Sequence, residues 1–177
     1  MPKLAEALAE RKSLQDRLAR LQARLVVNAK VQDGDQPAEA PTELLNEVAR
    51  TLTAIKRLTI AINRTNSQTF MADPSGAANQ DGGEDGSRGD SQTIMEAIAE
   101  RDRLQSQKHT LDTLSDAVRL DTRGYGVTRN EIKWRPTLDV AALQSEIDQV
   151  AQTYRALDTQ IQAANWSTEL IETELGT

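Results

Sequence analysis

Apolar side chains recur at alternating steps of three and four residues through the last third of the sequence. The positions of this stripe are Val140, Leu143, Ile147, Val150, Tyr154, Leu157, Ile161 and Ala164. This spacing keeps all of them on one side of an α-helix of about 25 residues and roughly 37 Å. The helix is expected to begin after Asp139, whose carboxylate can accept a backbone N–H of the first turn.

Three further stretches carry the same kind of pattern, and they predict helices over residues 3–27, 43–65 and 94–120. The second of these is expected to pack through one heptad seam, made of Leu45, Val48, Leu52, Ile55 and Ile62. Three more apolar residues widen its face beyond that seam: Leu44, Leu58 and Ile60. Such a helix is either the most buried of the four or in contact with a second subunit.

The two halves of the chain resemble each other. The block Glu6–Arg11 recurs as Glu96–Arg101, and the second and fourth helices align by their seams and by their endings. We interpret residues 3–67 and 93–170 as an internal repeat; the alternative is that heptad-patterned helices resemble one another by composition.

The predicted fold is all-α, a four-helix antiparallel bundle built from two repeated helical hairpins in a single domain over 1–177. The two connectors are expected to pair as a small two-stranded β-ribbon through Val31 and Ile132. Residues 71–92 are rich in Gly and Asp and almost free of apolar side chains, which predicts a flexible loop. The sequence Arg88-Gly89-Asp90 within it matches the integrin-recognition tripeptide, and chance is the simpler explanation in a segment of this composition.

Composition excludes several classes of function. The 177 residues include no cysteine, one histidine and 3% aromatic residues, and the net charge is −6. Disulfides and thiolate metal sites are therefore excluded, and no nucleophile stands beside a recognisable base. We predict that the protein is not an enzyme, holds no cofactor and has no general affinity for nucleic acid. The start of the sequence resembles neither a signal peptide nor a membrane span, which favours a cytoplasmic location.

Two groups of charged residues are candidates for sites. Arg11 and Arg101 occupy equivalent seam positions, and each is expected to form a buried ion pair with its neighbour, Glu10 or Glu100. An anion site is the alternative for these arginines. The connector between the third and fourth helices carries a basic patch that can contact an anion or partner, or else pair with the acidic fourth helix: Arg123, Arg129, Lys133, Trp134 and Arg135.

The sequence also resembles a family of small bacterial helical proteins often labelled septicolysin. The similarity lies in Lys3–Leu8, Asn28–Gln32, Ile62–Ser67, Asp139–Gln144 and Asn165–Leu170. The label implies a pore-forming or membrane-damaging toxin, and the resemblance brings no catalytic residues. The predicted helices carry charge on their outer faces and offer no uncharged hairpin for insertion into lipid.

The sequence therefore favours a non-enzymatic, self-associating structural or interaction protein, and a septicolysin-like toxin is the alternative. A homo-oligomer is expected, with an interface on the extra apolar face of the second helix, which carries Leu44, Leu58 and Ile60.

Overall fold

A computed structural model describes residues 1–71, 92–122 and 136–171. These residues form four α-helices, α1 (Leu4–Asn28), α2 (Pro41–Gln68), α3 (Ile94–Thr122) and α4 (Val140–Ser167). The ranges just given contain single antiparallel bridge pairs but no β-strand. The all-α prediction is thus confirmed. Residues 72–91 of the predicted flexible loop and the connector around Ile132 lie outside the described residues.

Helices α2 and α4 differ in how the backbone N–H groups of their first turn are satisfied. At α4 the predicted cap is confirmed, because Asp139 Oδ1 accepts hydrogen bonds from the N–H groups of Ala141 (2.9 Å) and Ala142 (3.2 Å). At α2 no side chain caps the helix. The helix begins with Pro41, and proline suits a first position because its φ is already helical and no N–H is left unsatisfied there.

The chain falls into two compact units, Met1–Ile94 with Gln162–Thr177, and Met95–Ile161. In the first unit α1 and α2 form an antiparallel hairpin, with Arg17 Nη2 of α1 3.4 Å from Glu47 Oε2 of α2. In the second unit α3 packs on α4. The amide of Gln107 donates to Glu146 (3.4 Å), whereas the earlier Arg101 lies 3.7 Å from the later Asp158. Contacts that run in opposite chain directions make this pair an antiparallel hairpin as well.

The connector between α1 and α2 is a turn and not a strand, so the first half of the predicted β-ribbon is wrong. The N–H of Asp35 donates to the carbonyl of Gln32 at 3.0 Å, and Gly34 between them has φ of +93°. That left-handed conformation is readily adopted by glycine and reverses the chain. Val31 lies just before this turn and, among the described residues, belongs to no strand or bridge pair.

Antiparallel pairing occurs instead where helices begin and end. Leu4 N–H donates to Thr168 O (3.0 Å) and Leu170 N–H to Pro2 O (2.9 Å), around the bridge pair of Lys3 and Glu169. We call this the terminal ladder. It supplies a partner for the first N–H of α1, which no residue of the helix itself can bond.

A second ladder has the same arrangement. Ile94 N–H, the first of α3, donates to Thr69 O (2.9 Å), and Met71 N–H donates to Gln92 O (2.9 Å). We call this the internal ladder. Each ladder joins the residues just after one helix to those just before another. The predicted internal repeat is consistent with this likeness and stays a prediction.

The buried faces of α4 and α2 test the seam assignments. In α4 the predicted stripe is largely buried: Leu143, Ile147, Val150, Leu157 and Ile161. In α2 the buried residues are Leu44, Thr51, Ala61, Ile62 and Thr65. Of the five seam residues predicted for α2, only Ile62 is buried, and Leu45 and Leu52 are 51% and 49% exposed. The predicted seam of α2 is therefore wrong over most of its length.

The same burial pattern revises the alignment of the two helices. Leu44 corresponds to Leu143 and Ile62 to Ile161, because both members of each pair are buried. The alignment by heptad seam instead set Leu45 against Ile147. The seam alignment is therefore displaced by three residues, close to one helical turn, which sequence periodicity alone does not detect.

Candidate interaction surface

The most regular apolar positions of α2 form an exposed band, which we call the α2 stripe: Leu45, Val48, Leu52 and Ile55. Leu45 and Leu52 are about half exposed, and Val48 and Ile55 are intermediate between buried and exposed. At 100° per residue the four lie within an arc of about 80°, next to the arc that the core uses. Ala49 and Lys56, both exposed, border the stripe on its outer side.

The stripe is exposed because α2 has more apolar surface than its unit buries. The core takes the side of the helix that carries Leu44, Thr51 and Ile62, and two large aliphatic residues one heptad apart are left at the surface. Single exposed leucines are ordinary on protein surfaces, whereas aligned ones often mark an interaction site.

The interface predicted from the sequence is wrong at one residue and untested at the other two. Leu44 is only 3% exposed, so it belongs to the core and has little surface to offer a partner. Leu58 and Ile60 are intermediate in exposure, and their role in an interface stays a prediction. The sequence indicated that α2 has more apolar surface than the core needs. The interpretation of that pattern assigned the buried side of α2 to the surface and the exposed side to the core.

An open groove of about 580 Å³ runs along the α1–α2 hairpin on another side of α2. Its lining residues are Glu10, Ala49, Arg50, Thr53, Ala54, Arg57 and Leu58. Small side chains leave the space, and Arg50 and Arg57, one heptad apart, supply its positive charge. Glu10, predicted as a partner for Arg11, contributes a carboxylate to this groove, and Arg11 itself is of intermediate exposure.

The predicted pairing of Arg101 with Glu100 is wrong. Arg101 Nη2 lies 2.8 Å from Asp102 Oδ1, and its Nη1 lies 3.7 Å from Asp158 Oδ1 on α4. Glu100 pairs with Arg103 at 2.7 Å, and the hydrogen bond from that guanidinium lowers the pKa of Glu100. The hydrogen bond to Asp102 raises the pKa of Arg101, and the field of Asp158 adds to it. These groups are partly exposed, so the pairs are surface pairs of small energetic value.

No catalytic arrangement emerges in the part of the chain that the structure describes. His109 is exposed and lines a shallow hollow of about 270 Å³, in which Lys108 and Asp112 form an ion pair of 2.6 Å. Among the described residues no three His, Cys, Asp or Glu side chains are grouped to hold a metal ion. The predicted basic patch of Arg123, Arg129, Lys133, Trp134 and Arg135, and the Arg88-Gly89-Asp90 sequence, lie outside the described residues.

The described helices are too polar or too short in their apolar runs for any of them to span a bilayer.

One polar contact in the first unit is not predicted by the sequence pattern. Thr65 is 0% exposed, and its Oγ1 accepts a hydrogen bond from Ile171 N–H at 3.0 Å, while it donates to Ala61 O at 2.8 Å. The contact joins residues 106 positions apart. The local sequence around Thr65 does not predict this partner.

Comparison with known proteins identifies relatives without identifying an activity. The chain belongs to the Family of unknown function (DUF6847), whose model matches residues 11–170. It is similar to a crystal structure of a functionally unknown conserved protein from Corynebacterium diphtheriae, with 37% identity and a TM-score of 0.78. That match covers 96% of this chain and 99% of the other. No curated protein matches the sequence.

Proposed function

We propose that this member of the family is a non-enzymatic helical protein that associates with itself through the α2 stripe. The observation that carries the proposal is the exposure of Leu45 and Leu52, one heptad apart on the longest regular apolar pattern of α2. An apolar seam of this kind is the usual contact between helices of different subunits. A cytoplasmic location, expected from the sequence, is part of the proposal and is tested by cell fractionation.

Light scattering during gel filtration tests the self-association. The 19.5 kDa chain is expected to give a mass above that of a monomer at micromolar concentration. Changing Leu45 and Leu52 together to Gln should return the mass to that of the monomer while circular dichroism stays unchanged. Both side chains lie at the surface, so the fold does not depend on them.

The control is a double change to Gln at Val26 and Val27. Both are about three-quarters exposed, near the end of α1. This control removes the same kind of surface away from the stripe, and it should leave the assembly intact. A monomeric wild type, or an oligomer that survives the two changes on α2, contradicts the proposal.

The alternative from another class is the membrane-damaging activity that the septicolysin resemblance implies. Its test is the release of dye from liposomes by the purified protein. Release at concentrations where the protein is folded and oligomeric would replace the proposal of a purely structural role.

A further inference from the structure

We propose that the α2 stripe binds the α2 stripe of a second copy of this chain, antiparallel and around a twofold axis at the level of Arg50. The inference rests on the proposed self-association and assigns its partner surface, direction and register. Three properties of α2 support it: the spacing of the stripe, the distribution of charge along the helix, and the small residue at the proposed axis.

The spacing of the stripe reads the same in both directions. Its steps of three, four and three residues mean that a twofold axis at residue 50 sets Leu45 opposite Ile55 of the second copy. The same axis sets Val48 opposite Leu52 of the second copy. Each of the four residues thus meets another apolar residue, as the two seam positions do in antiparallel coiled coils. A twofold interface requires a surface that is complementary to itself, and the stripe meets this requirement.

Charge along α2 favours the antiparallel direction. Lys56 is the cation that borders the stripe, whereas Arg50 and Arg57 line the groove on another side of α2 and Glu47 pairs with Arg17 of α1. An antiparallel pair centred at residue 50 keeps the two Lys56 side chains about 18 Å apart along the helices, and it also opposes the two helix dipoles. A parallel pair in register would set Lys56 beside Lys56 of the second copy.

Ala49 lies beside the proposed axis and leaves room for close approach of the two helices. It is exposed, and its nearest counterpart across the axis is Ala49 of the second copy, about 3 Å away along the helix direction. Lys56, on the same border of the stripe, lies within about 3 Å of Thr42 of the second copy along the helix direction, and it does not lie beside another cation. The seam covers only two heptads, so we expect a dimer that dissociates on dilution.

Thiol cross-linking tests the register directly, because the natural chain has no cysteine. Three single variants at exposed positions are used, Thr42→Cys, Ala49→Cys and Lys56→Cys, each with a short bismaleimide reagent. Ala49→Cys should cross-link to itself. Lys56→Cys should not, because two copies of residue 56 are about 18 Å apart along an antiparallel pair. A mixture of Thr42→Cys and Lys56→Cys should cross-link to each other.

Light scattering on each variant separates failure of this inference from failure of the proposed function. Cross-linking of Lys56→Cys to itself indicates a parallel pair and overturns the inference. A dimer in which neither Ala49→Cys nor the mixed pair cross-links also overturns it, and leaves self-association standing with another interface. A monomeric wild type overturns both. Cross-linking of Ala49→Cys together with the mixed pair, and not of Lys56→Cys alone, establishes the register.

Discussion

Helices α2 and α4 have nearly identical apolar periodicity and use it in different ways. In α4 the regular stripe is the buried face, as Leu157 and Ile161 show. In α2 the equally regular stripe lies at the surface, and the buried face includes two threonines, Thr51 and Thr65. The two helices are the same length, 28 residues, so length does not explain the difference.

The difference is explained by how many faces each helix offers. Apart from alanine, α4 has almost no apolar residue outside its stripe, so only one orientation buries its large side chains. In α2 the apolar residues cover a wider arc, and several orientations bury a similar area. Polar contacts can then decide between them, and a buried hydroxyl with a partner is one such contact. A regular heptad therefore indicates that a face is apolar, and a narrow apolar arc indicates that this face is buried.

The largest expected effect is the difference in folding stability lost when one leucine of each helix is truncated to alanine. Leu157→Ala on α4 should lower the free energy of unfolding by about 2–5 kcal/mol, because it leaves a cavity in a packed site. Leu52→Ala on α2 should cost less than about 1 kcal/mol in the monomer, since half of that side chain is already in water. Chemical denaturation below the concentration of assembly measures both. Equal costs would remove the contrast between the helices.

A smaller effect is expected at the two buried threonines of α2. Thr65→Val should cost about 1–2 kcal/mol, because Ile171 N–H loses the hydroxyl oxygen that accepts its hydrogen bond. Thr51→Val is the matched control, since among the described residues its hydroxyl bonds to Glu47 O of its own helix at 2.8 Å. The control should change stability little, because no other group loses a partner. If thermal or chemical unfolding shows the two variants to be equal, the contact to Ile171 does not orient α2.

The smallest effect concerns the way α2 begins. Asp139 caps α4, whereas the residues before α2 are tied to α1, where Arg24 pairs with Glu39 through both carboxylate oxygens. The hydrogen bond from Arg24 holds the pKa of Glu39 below its ordinary value of 4.5. A lowered pKa in the folded protein contributes stability at higher pH, and this contribution is lost as the pH falls through the lowered value.

Arg24→Gln should therefore raise the pKa of Glu39 toward its ordinary value, as followed by NMR titration of the carboxyl group. The difference in stability between wild type and variant should be small, fully present above pH 4.5, and lost as the pH falls through the lowered pKa of Glu39. Arg17→Gln, at another exposed pair of the same hairpin, should leave the titration of Glu39 unchanged. If the pKa of Glu39 does not change in the Arg24 variant, the pair is absent in solution.

Much of the fold could be predicted from the sequence, and the reasons for the failures are specific. The four helices follow from apolar periodicity, and the Asp139 cap follows from a short-range rule. The buried side of α2 could not be predicted, because Leu44 and Leu45 are equally apolar and adjacent. Arg101 pairs most closely with the adjacent Asp102, and its second partner, Asp158, lies on α4, which sequence distance does not reveal. The ladders are made by backbone groups, which leave no signature in the side chains.

The two ladders also imply an order of assembly during folding. The internal ladder joins residues about 25 positions apart, whereas the side chain of Lys3 donates to Ser167 O beside the terminal ladder across 164 positions. Closing the longer loop from an unfolded chain costs about 1.6 kcal/mol more conformational entropy. The first N–H of α3 therefore forms its hydrogen bond early, and the N–H of Leu4 forms its hydrogen bond only after both hairpins have formed. In native-state hydrogen exchange, the amide of Leu4 should exchange through smaller openings than that of Ile94.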